Sequence, residues 1–131
     1  MPTNIFVSLP VQDPKKSKAF YDKFFSQLGW KTVYEDSDAG GYSDGNFTVW
    51  VVQAEKKGKH EFKAPGFHHF AVRVNTKEKV DAFYEWAKKE GIEIVDPPAL
   101  YEKYNKDYYA VFVLDPDGMK LEVVYNPVPG I

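Results

Sequence analysis

The chain has 131 residues, a formal net charge of −2 at pH 7, no cysteine, and 10 Phe, 9 Tyr and 3 Trp. This length predicts one domain, the mixed charge offers no basic stripe for nucleic acid, and the lack of cysteine excludes disulfides and thiolate zinc sites. Because no apolar run exceeds the seven residues of Tyr108–Leu114 and the start lacks a secretory signal pattern, we expect a cytoplasmic protein with no membrane partner.

The first half of the chain predicts a strand, a helix and three further strands. Alternating apolar residues over Val7–Val11 predict the first strand. The helix is predicted to begin at Asp13-Pro14, an N-cap followed by proline, and to end at Gly29. Its apolar residues recur every three or four positions: Phe20, Phe24 and Leu28. Three strand-like segments follow, the last two joined at Asp44-Gly45: residues 31–34, 41–43 and 47–54.

The second half repeats this pattern after a polar linker predicted over residues 55–66. Ala82-Phe83-Tyr84 repeats Ala19-Phe20-Tyr21 at an offset of 63 residues. Asn75, three residues before Glu78, predicts a capping box. The predicted apolar positions of this helix, its closing glycine and the turn before the last strand are Val80, Phe83, Ala87, Gly91 and Asp117-Gly118. The predicted strands are residues 93–95, 108–114 and 120–125.

The repeat predicts an α+β fold built from two tandem βαβββ modules. We expect a single domain over residues 1–131, with modules at about 4–54 and 67–127 joined by linker 55–66. About 60 residues alone bury too little surface for independent stability, so the two modules are expected to share one core.

A loop is predicted over residues 96–107, stiffened at its entry by Pro97-Pro98. Four tyrosines lie within nine residues at its end: Tyr101, Tyr104, Tyr108 and Tyr109. Tyrosine combines apolar area with a hydrogen-bonding tip, which suits a lid over an organic ligand. The alternative is that these rings lie flat on a sheet edge or in a dimer contact.

Three segments resemble the vicinal oxygen chelate superfamily, which includes glyoxalase I, bleomycin-resistance and fosfomycin-resistance proteins and extradiol dioxygenases. They are V-S-L-P-V-Q-D before K-A-F-Y (residues 7–21), H-H-F-A-V-R-V (68–74) and D-P-D-G-M-K-L-E (115–122). The resemblance covers about residues 4–127. It implies two facing curved sheets around a central cleft that holds a metal and a small organic ligand. By analogy it also implies a homodimer.

The same resemblance implies metal ligands at His69 and Glu122 in the second module. Imidazole and carboxylate suit Zn, Ni, Mn or Fe, and strand alternation turns His69 away from the apolar face. In the first module the 63-residue offset carries His69 onto Phe6, and the position opposite Glu122 falls on Val49 or Trp50. His68 does not easily replace the missing ligand, because adjacent strand residues point to opposite faces. The predicted metal site is therefore incomplete, and no organic cofactor is expected.

Our main functional hypothesis is a protein that binds a small organic molecule without a protein-bound metal, comparable to bleomycin-resistance proteins. The residues expected to line its cleft are Phe6, Trp50, Arg73, Tyr101, Tyr104 and Tyr109. Arg73 would be the sole fixed positive charge there, able to hold a carboxylate or phosphate, unless it reaches solvent at the sheet edge.

Two catalytic alternatives use the same cleft. The first is a metal-dependent lyase or isomerase of the glyoxalase type, or a dioxygenase, in which His69 and Glu122 ligate the metal. In the second, His69 is hydrogen-bonded to Glu122, and Glu122 acts as a general base without a metal.

Overall fold

A computed structural model of the chain describes residues 5–128, which form two compact units; the boundary along the chain falls between Lys59 and His60. Unit 1 contains β1 (Ile5–Val11), α1 (Pro14–Gln27), β2 (Lys31–Glu35), β3 (Gly40–Ser43) and β4 (Phe47–Gln53). Unit 2 contains β5 (Phe70–Val74), α2 (Lys77–Lys89), β6 (Ile94–Leu100), β7 (Tyr109–Leu114) and β8 (Lys120–Tyr125). The predicted α+β class, with the order βαβββ twice, is confirmed.

Each unit has one four-stranded mixed sheet with its helix on one face. The strand orders are β1-β4-β3-β2 and β5-β8-β7-β6. The first strand of each unit pairs in parallel with the last, and the other pairs are antiparallel. Because side chains alternate along a strand, each sheet has one face covered by its own helix and a second face, here called the helix-free face.

The helix α1 has the predicted ends but a different buried stripe. The side chain of Asp13 accepts a hydrogen bond from the Lys16 amide at 3.3 Å, and Pro14 is the first helical residue. The buried aromatic residues are Tyr21, Phe24 and Phe25. The predicted burial of Phe24 is confirmed, but the prediction is wrong for Phe20 and Leu28, which are only half-buried. The face of α1 that carries Phe25 is directed at the sheet because the ring of Phe25 stacks on Tyr42 of β3 and packs against Trp30.

The helix α2 buries Val80, Phe83 and Ala87, as predicted. Its N-cap, however, is Thr76 and not Asn75. The extended backbone of Thr76 lets its hydroxyl accept the amide hydrogen of Lys79 at 3.2 Å, so the first turn is capped one residue later than predicted.

The strand β6 runs through both prolines of the predicted loop. It continues to Leu100, so the prediction that residues 96–100 form part of a loop is wrong. Two features allow proline here. The strand lies at the edge of its sheet, where a missing amide hydrogen leaves no partner unpaired, and its register with β7 shifts on both sides of Asp96.

The two Asp-Gly turns form where predicted and lead into the last strand of each unit. An oxygen of Asp44 accepts the amides of Asn46 and Phe47, and Gly45 has a φ of 103°, which favours glycine. In unit 2 the carboxylate of Asp115 performs the same task for the amides of residues 117 and 119. Over residues 5–128 no helix has the length and apolar character needed to cross a bilayer.

Candidate functional site

Glu122 lies in the middle of β8 on the helix-free face of unit 2. Its neighbours Leu121 and Val123 are fully buried on the helix side, and alternation turns Glu122 the other way. It pairs with Ala71 of β5 on one side and with Phe112 of β7 on the other. Although it is a carboxylic acid in the centre of a sheet, its exposure is only 1%.

Both oxygens of Glu122 accept a hydrogen bond. Oε1 lies 2.9 Å from Nε2 of His69, and Oε2 accepts the hydroxyl of Tyr108 at 2.5 Å. A buried carboxylate is costly unless its lone pairs have partners, and these two donors supply them. The structure thus brings together the imidazole and carboxylate that the sequence singled out, and it adds a phenol to the pair.

His68 also belongs to this hydrogen-bonded group. Its Nδ1 lies 2.8 Å from Nδ1 of His69, and the two rings meet edge to face. Strand alternation was the reason to keep these side chains apart, but it does not apply because β5 begins only at Phe70. Desolvation, followed by the charges of His69 and Lys120, lowers the pKa of His68 below its ordinary value. The result is one chain of hydrogen bonds from His68 through His69 and Glu122 to Tyr108.

An aromatic group covers the same face. We call it the tyrosine cluster; it consists of Tyr101, Tyr104, Tyr108 and Phe112. The ring of Tyr101 stacks on Tyr104 at 6.3 Å and meets Tyr108 and Phe112 edge to face. The rings of Tyr104 and Tyr108 are 4.9 Å apart, and Tyr104 is 53% exposed. The cluster therefore has a buried side near Glu122 and an exposed side at Tyr104.

Tyr108 was not predicted to line the cleft, although it is one of the four tyrosines that cluster in the sequence. Burial and then the hydrogen bond to Glu122 raise its pKa above the ordinary value, so the hydroxyl stays protonated and donates. Alternation could have found it, because Phe112, Ala110 and Tyr108 fall on one face of the strand and Phe112 lies opposite Glu122.

Tyr109 lies on the other face of the sheet. Its hydroxyl donates to Asp81 of α2 at 2.5 Å, and this bond raises the pKa of Tyr109 to about 12. The structure therefore does not bring Tyr109 to the tyrosine cluster. Alternation along β7 explains the separation, since Tyr108 and Tyr109 are adjacent in sequence.

Arg73 and Lys120 both lie on the helix-free face of unit 2. Arg73 of β5 is exposed, and its Nη2 donates to the carbonyl of Val128 at 3.4 Å. The ammonium of Lys120 lies 4.7 Å from the ring centroid of Phe112 and 5.3 Å from that of Phe62. The expectation that Arg73 is the sole fixed positive charge of this face is therefore wrong.

In unit 1 the helix-free face carries Phe6 and Trp50. Phe6 is 67% exposed, and Trp50 is half-buried beside Tyr34, with 5.6 Å between ring centroids. Trp50 pairs with Ser8 of β1 and with Gly41 of β3. Since Ser8 is 63 residues before Ala71, the partner of Glu122, this register identifies Trp50 and not Val49 as the equivalent of Glu122.

The predicted metal ligands of unit 2, His69 and Glu122, do not fit a tightly held divalent ion. Within residues 5–128, no group of three or more His, Asp or Glu side chains lies close enough to share one. His69 and Glu122 supply two donors, whereas catalytic zinc sites keep three protein ligands. Each oxygen of Glu122 already accepts a hydrogen bond, so a metal would have to displace one of them.

Comparison with known proteins places the chain among a set of related folds. A family model described as the Glyoxalase/Bleomycin resistance protein/Dioxygenase superfamily matches residues 5–123. YqjT, an uncharacterised protein of Bacillus subtilis (strain 168), is 28% identical over 125 residues, which cover 90% of this chain and 94% of YqjT. The structure of a candidate glyoxalase from Bacillus halodurans is 28% identical, with a TM-score of 0.80, and covers 92% of this chain and 93% of its own.

More distant structures share the fold. The fosfomycin resistance protein FosX from Listeria monocytogenes has a TM-score of 0.68 and 17% identity, covering 98% of this chain and 94% of FosX. A glyoxalase/bleomycin resistance protein from Albidiferax ferrireducens T118 has a TM-score of 0.78 and 21% identity, covering 92% and 97% of the two chains.

Proposed function

The chain belongs to the glyoxalase/bleomycin resistance protein/dioxygenase superfamily, and we propose that it binds a small organic molecule at the tyrosine cluster. The ligand would lie on the helix-free face of unit 2, with its flat apolar part against the rings and a polar group toward the hydrogen-bonded edge at Tyr108 and His69. Binding requires no protein-bound metal in this proposal.

The observation that carries the proposal is the environment of Glu122. A glutamate that is 1% exposed and bonded through both oxygens fixes the orientation of His69 and Tyr108 on either side of it. Ligand sites combine an apolar lining with a few polar groups held in place, and the tyrosine cluster supplies that lining. In this arrangement Glu122 acts as a buried anchor for the groups that meet the ligand. Its role as a general base stays a prediction.

The exposed side of the cluster supports an aromatic ligand in particular. The ring of Tyr104 is more than half exposed, although it is held by Tyr101 and Tyr108 on its inner side. A ring presented in this way can stack on a flat ligand without first being ordered. In unit 1, Phe6 and Trp50 stay predicted ligand contacts of the helix-free face, and a cytoplasmic location and a homodimer stay predictions.

Calorimetry with 2-naphthamide, a neutral flat aromatic probe, tests the proposal. We expect measurable binding to the wild-type chain and about fivefold weaker binding to Tyr104→Ala, since one stacking partner contributes about 1 kcal/mol. The matched control is Tyr84→Ala, because Tyr84 is half-buried on α2 and packs beneath the ammonium of Lys88. The control should bind the probe like wild type.

Two results would contradict the proposal. The first is no binding of 2-naphthamide to wild type, or equal weakening by Tyr104→Ala and the control. The second is a stoichiometric divalent metal in protein purified without chelator, measured by elemental analysis, together with loss of probe binding when the metal is removed.

A further inference from the structure

We infer that Lys120 recognises an anion, so that the ligand of unit 2 is an aromatic molecule with a carboxylate or a similar acidic group. This inference rests on the proposed function and names the ligand class. The juxtaposition behind it is an ammonium group held between two rings at the edge of the tyrosine cluster.

Lys120 is held in place by aromatic rings. It is on the helix-free face two residues before Glu122, and its ammonium lies over the rings of Phe112 and Phe62 at 4.7 and 5.3 Å. A cation above a ring face is attracted to its π-electrons, so the long side chain loses much of its freedom before any ligand arrives. Its charge also reaches the neighbouring imidazole, where it contributes to the lowered pKa of His68.

Phe112 connects this ammonium to the proposed aromatic subsite. One ring contacts Lys120 at 4.7 Å and Tyr101 at 5.6 Å between centroids. In the proposed arrangement, a ligand ring placed against Tyr101 has Phe112 between it and Lys120, and an acidic substituent of the ligand extends along Phe112 toward the ammonium. The recognised group must be an acceptor, since an ammonium only donates hydrogen bonds.

Within residues 5–128, no carboxylate lies close enough to Lys120 to form an ion pair with it. The ammonium makes ring contacts instead. Glu122, the nearest acid along the strand, is 1% exposed, and its oxygens face His69 and Tyr108. A ligand carboxylate at Lys120 would therefore meet a cation that is not paired with a carboxylate of the described residues.

The other two cations of this region are less suited to the task. The guanidinium of Arg73 donates to the carbonyl of Val128. Lys103 lies 5.1 Å above the ring of Tyr104, but it is on an exposed turn, and within residues 5–128 its ammonium contacts no second ring. Of these three cations, Lys120 is the one that combines two ring contacts with a position beside the hydrogen-bonded group at Glu122.

The test compares 2-naphthoate with 2-naphthamide, two probes that differ in one charge. By calorimetry at low ionic strength, wild type should prefer the naphthoate, and added salt should reduce that preference. The variant Lys120→Met keeps the apolar stem, and we expect it to bind naphthoate about tenfold more weakly, with naphthamide affinity unchanged. Unchanged naphthamide binding also shows that the variant is folded. Lys120→Arg should retain most of the preference.

The outcomes separate the two proposals. Binding of both probes with equal affinity to wild type overturns the role of Lys120 and leaves the proposed function standing. Binding of neither probe overturns both. If Arg73→Met or Lys103→Met removes the preference while Lys120→Met keeps it, the anion is recognised elsewhere and the assignment of Lys120 is wrong.

Discussion

The helix-free faces of the two units differ at positions that their sheets make equivalent. In unit 2 one row across the sheet reads Ala71, Glu122 and Phe112, and in unit 1 the corresponding row reads Ser8, Trp50 and Gly41. Strand order and pairing directions are the same in both units. The scaffold is therefore repeated while the chemistry of one face is not.

Within each row, a large side chain is accommodated by its neighbour. In unit 1 the ring of Trp50 lies over Gly41, where an added Cβ would be 2.8 Å from the ring. In unit 2 the residue on the adjacent strand is the large Phe112, and its neighbour Glu122 is stabilised by the hydrogen-bond donors His69 and Tyr108. Exchanging a carboxylate for an indole thus requires a change on the adjacent strand as well. The residue at the position of Glu122 or Trp50 and its neighbour on the adjacent strand therefore differ together between the two units.

The largest effect should come from removing the carboxylate of unit 2. We expect Glu122→Leu to lower the free energy of unfolding by about 2 kcal/mol, because the half-buried donors His69 and Tyr108 both lose their acceptor. Urea denaturation followed by circular dichroism measures the loss.

A double variant checks that the loss comes from the donors. Tyr108→Phe in the Glu122→Leu background should cost much less than Tyr108→Phe alone, since its hydroxyl no longer has a partner to lose. If Glu122→Leu is as stable as wild type, the carboxylate does not anchor this face.

The next effect tests the corresponding row of unit 1. We expect Gly41→Ala to cost about 1.5 kcal/mol, because the new methyl group overlaps the Trp50 ring, which is half-buried and must shift. The φ of Gly41 is not in the left-handed region, so backbone strain does not contribute. Urea denaturation measures the loss, and Trp50→Ala provides the matched background.

In that background Gly41→Ala should be neutral. A full penalty without the indole would mean that Gly41 is required by something other than Trp50, and the paired exchange inferred for this row would be wrong.

The repeat and the turns made the fold predictable, since they depend on local chemistry. An N-cap aspartate followed by proline, a closing glycine and an Asp-Gly turn each act through the backbone of a few residues. The errors in the predicted elements arise where tertiary packing, and not local sequence, determines which residues are buried and where a strand ends. The buried stripe of α1 is set by the stacking of Phe25 on Tyr42, and β6 accepts Pro97 and Pro98 because it lies at a sheet edge and its register with β7 shifts there.

The site was only partly predictable for the same reason. Alternation correctly turned Glu122 away from the helix, and it contained the information to choose Tyr108 over Tyr109. The predicted contact of Glu122 with His69 is present, although His69 lies one residue before β5. The contact between His68 and His69 depends on where β5 begins, which a pattern of apolar residues does not locate to one residue. The position of Lys120 above Phe62 depends on how the segment before β5 folds back, and no local signal in the sequence reports that contact.

The helix-covered faces offer a second comparison. In each unit a tyrosine of the third strand donates to an aspartate of the helix: Tyr42 to Asp22 at 2.7 Å and Tyr109 to Asp81 at 2.5 Å. Tyr42 is 1% exposed, whereas Tyr109 is partly exposed. Burial first, then the bond to Asp22, raises the pKa of Tyr42, whereas the bond to Asp81 comes first for Tyr109.

The smallest effect should come from the more exposed of these two bonds. We expect Tyr109→Phe to cost about 0.5 kcal/mol at pH 7, since water competes for both partners. The bond raises the pKa of Tyr109 from 10.0 to about 12, so its stabilisation is complete below pH 10 and is lost as the pH rises toward 12. The wild type and the variant should therefore converge in stability over that range in urea denaturation. Equal stability of the wild type and the variant at every pH would show that the ring, which the variant keeps, and not the hydroxyl bond to Asp81, connects β7 to α2.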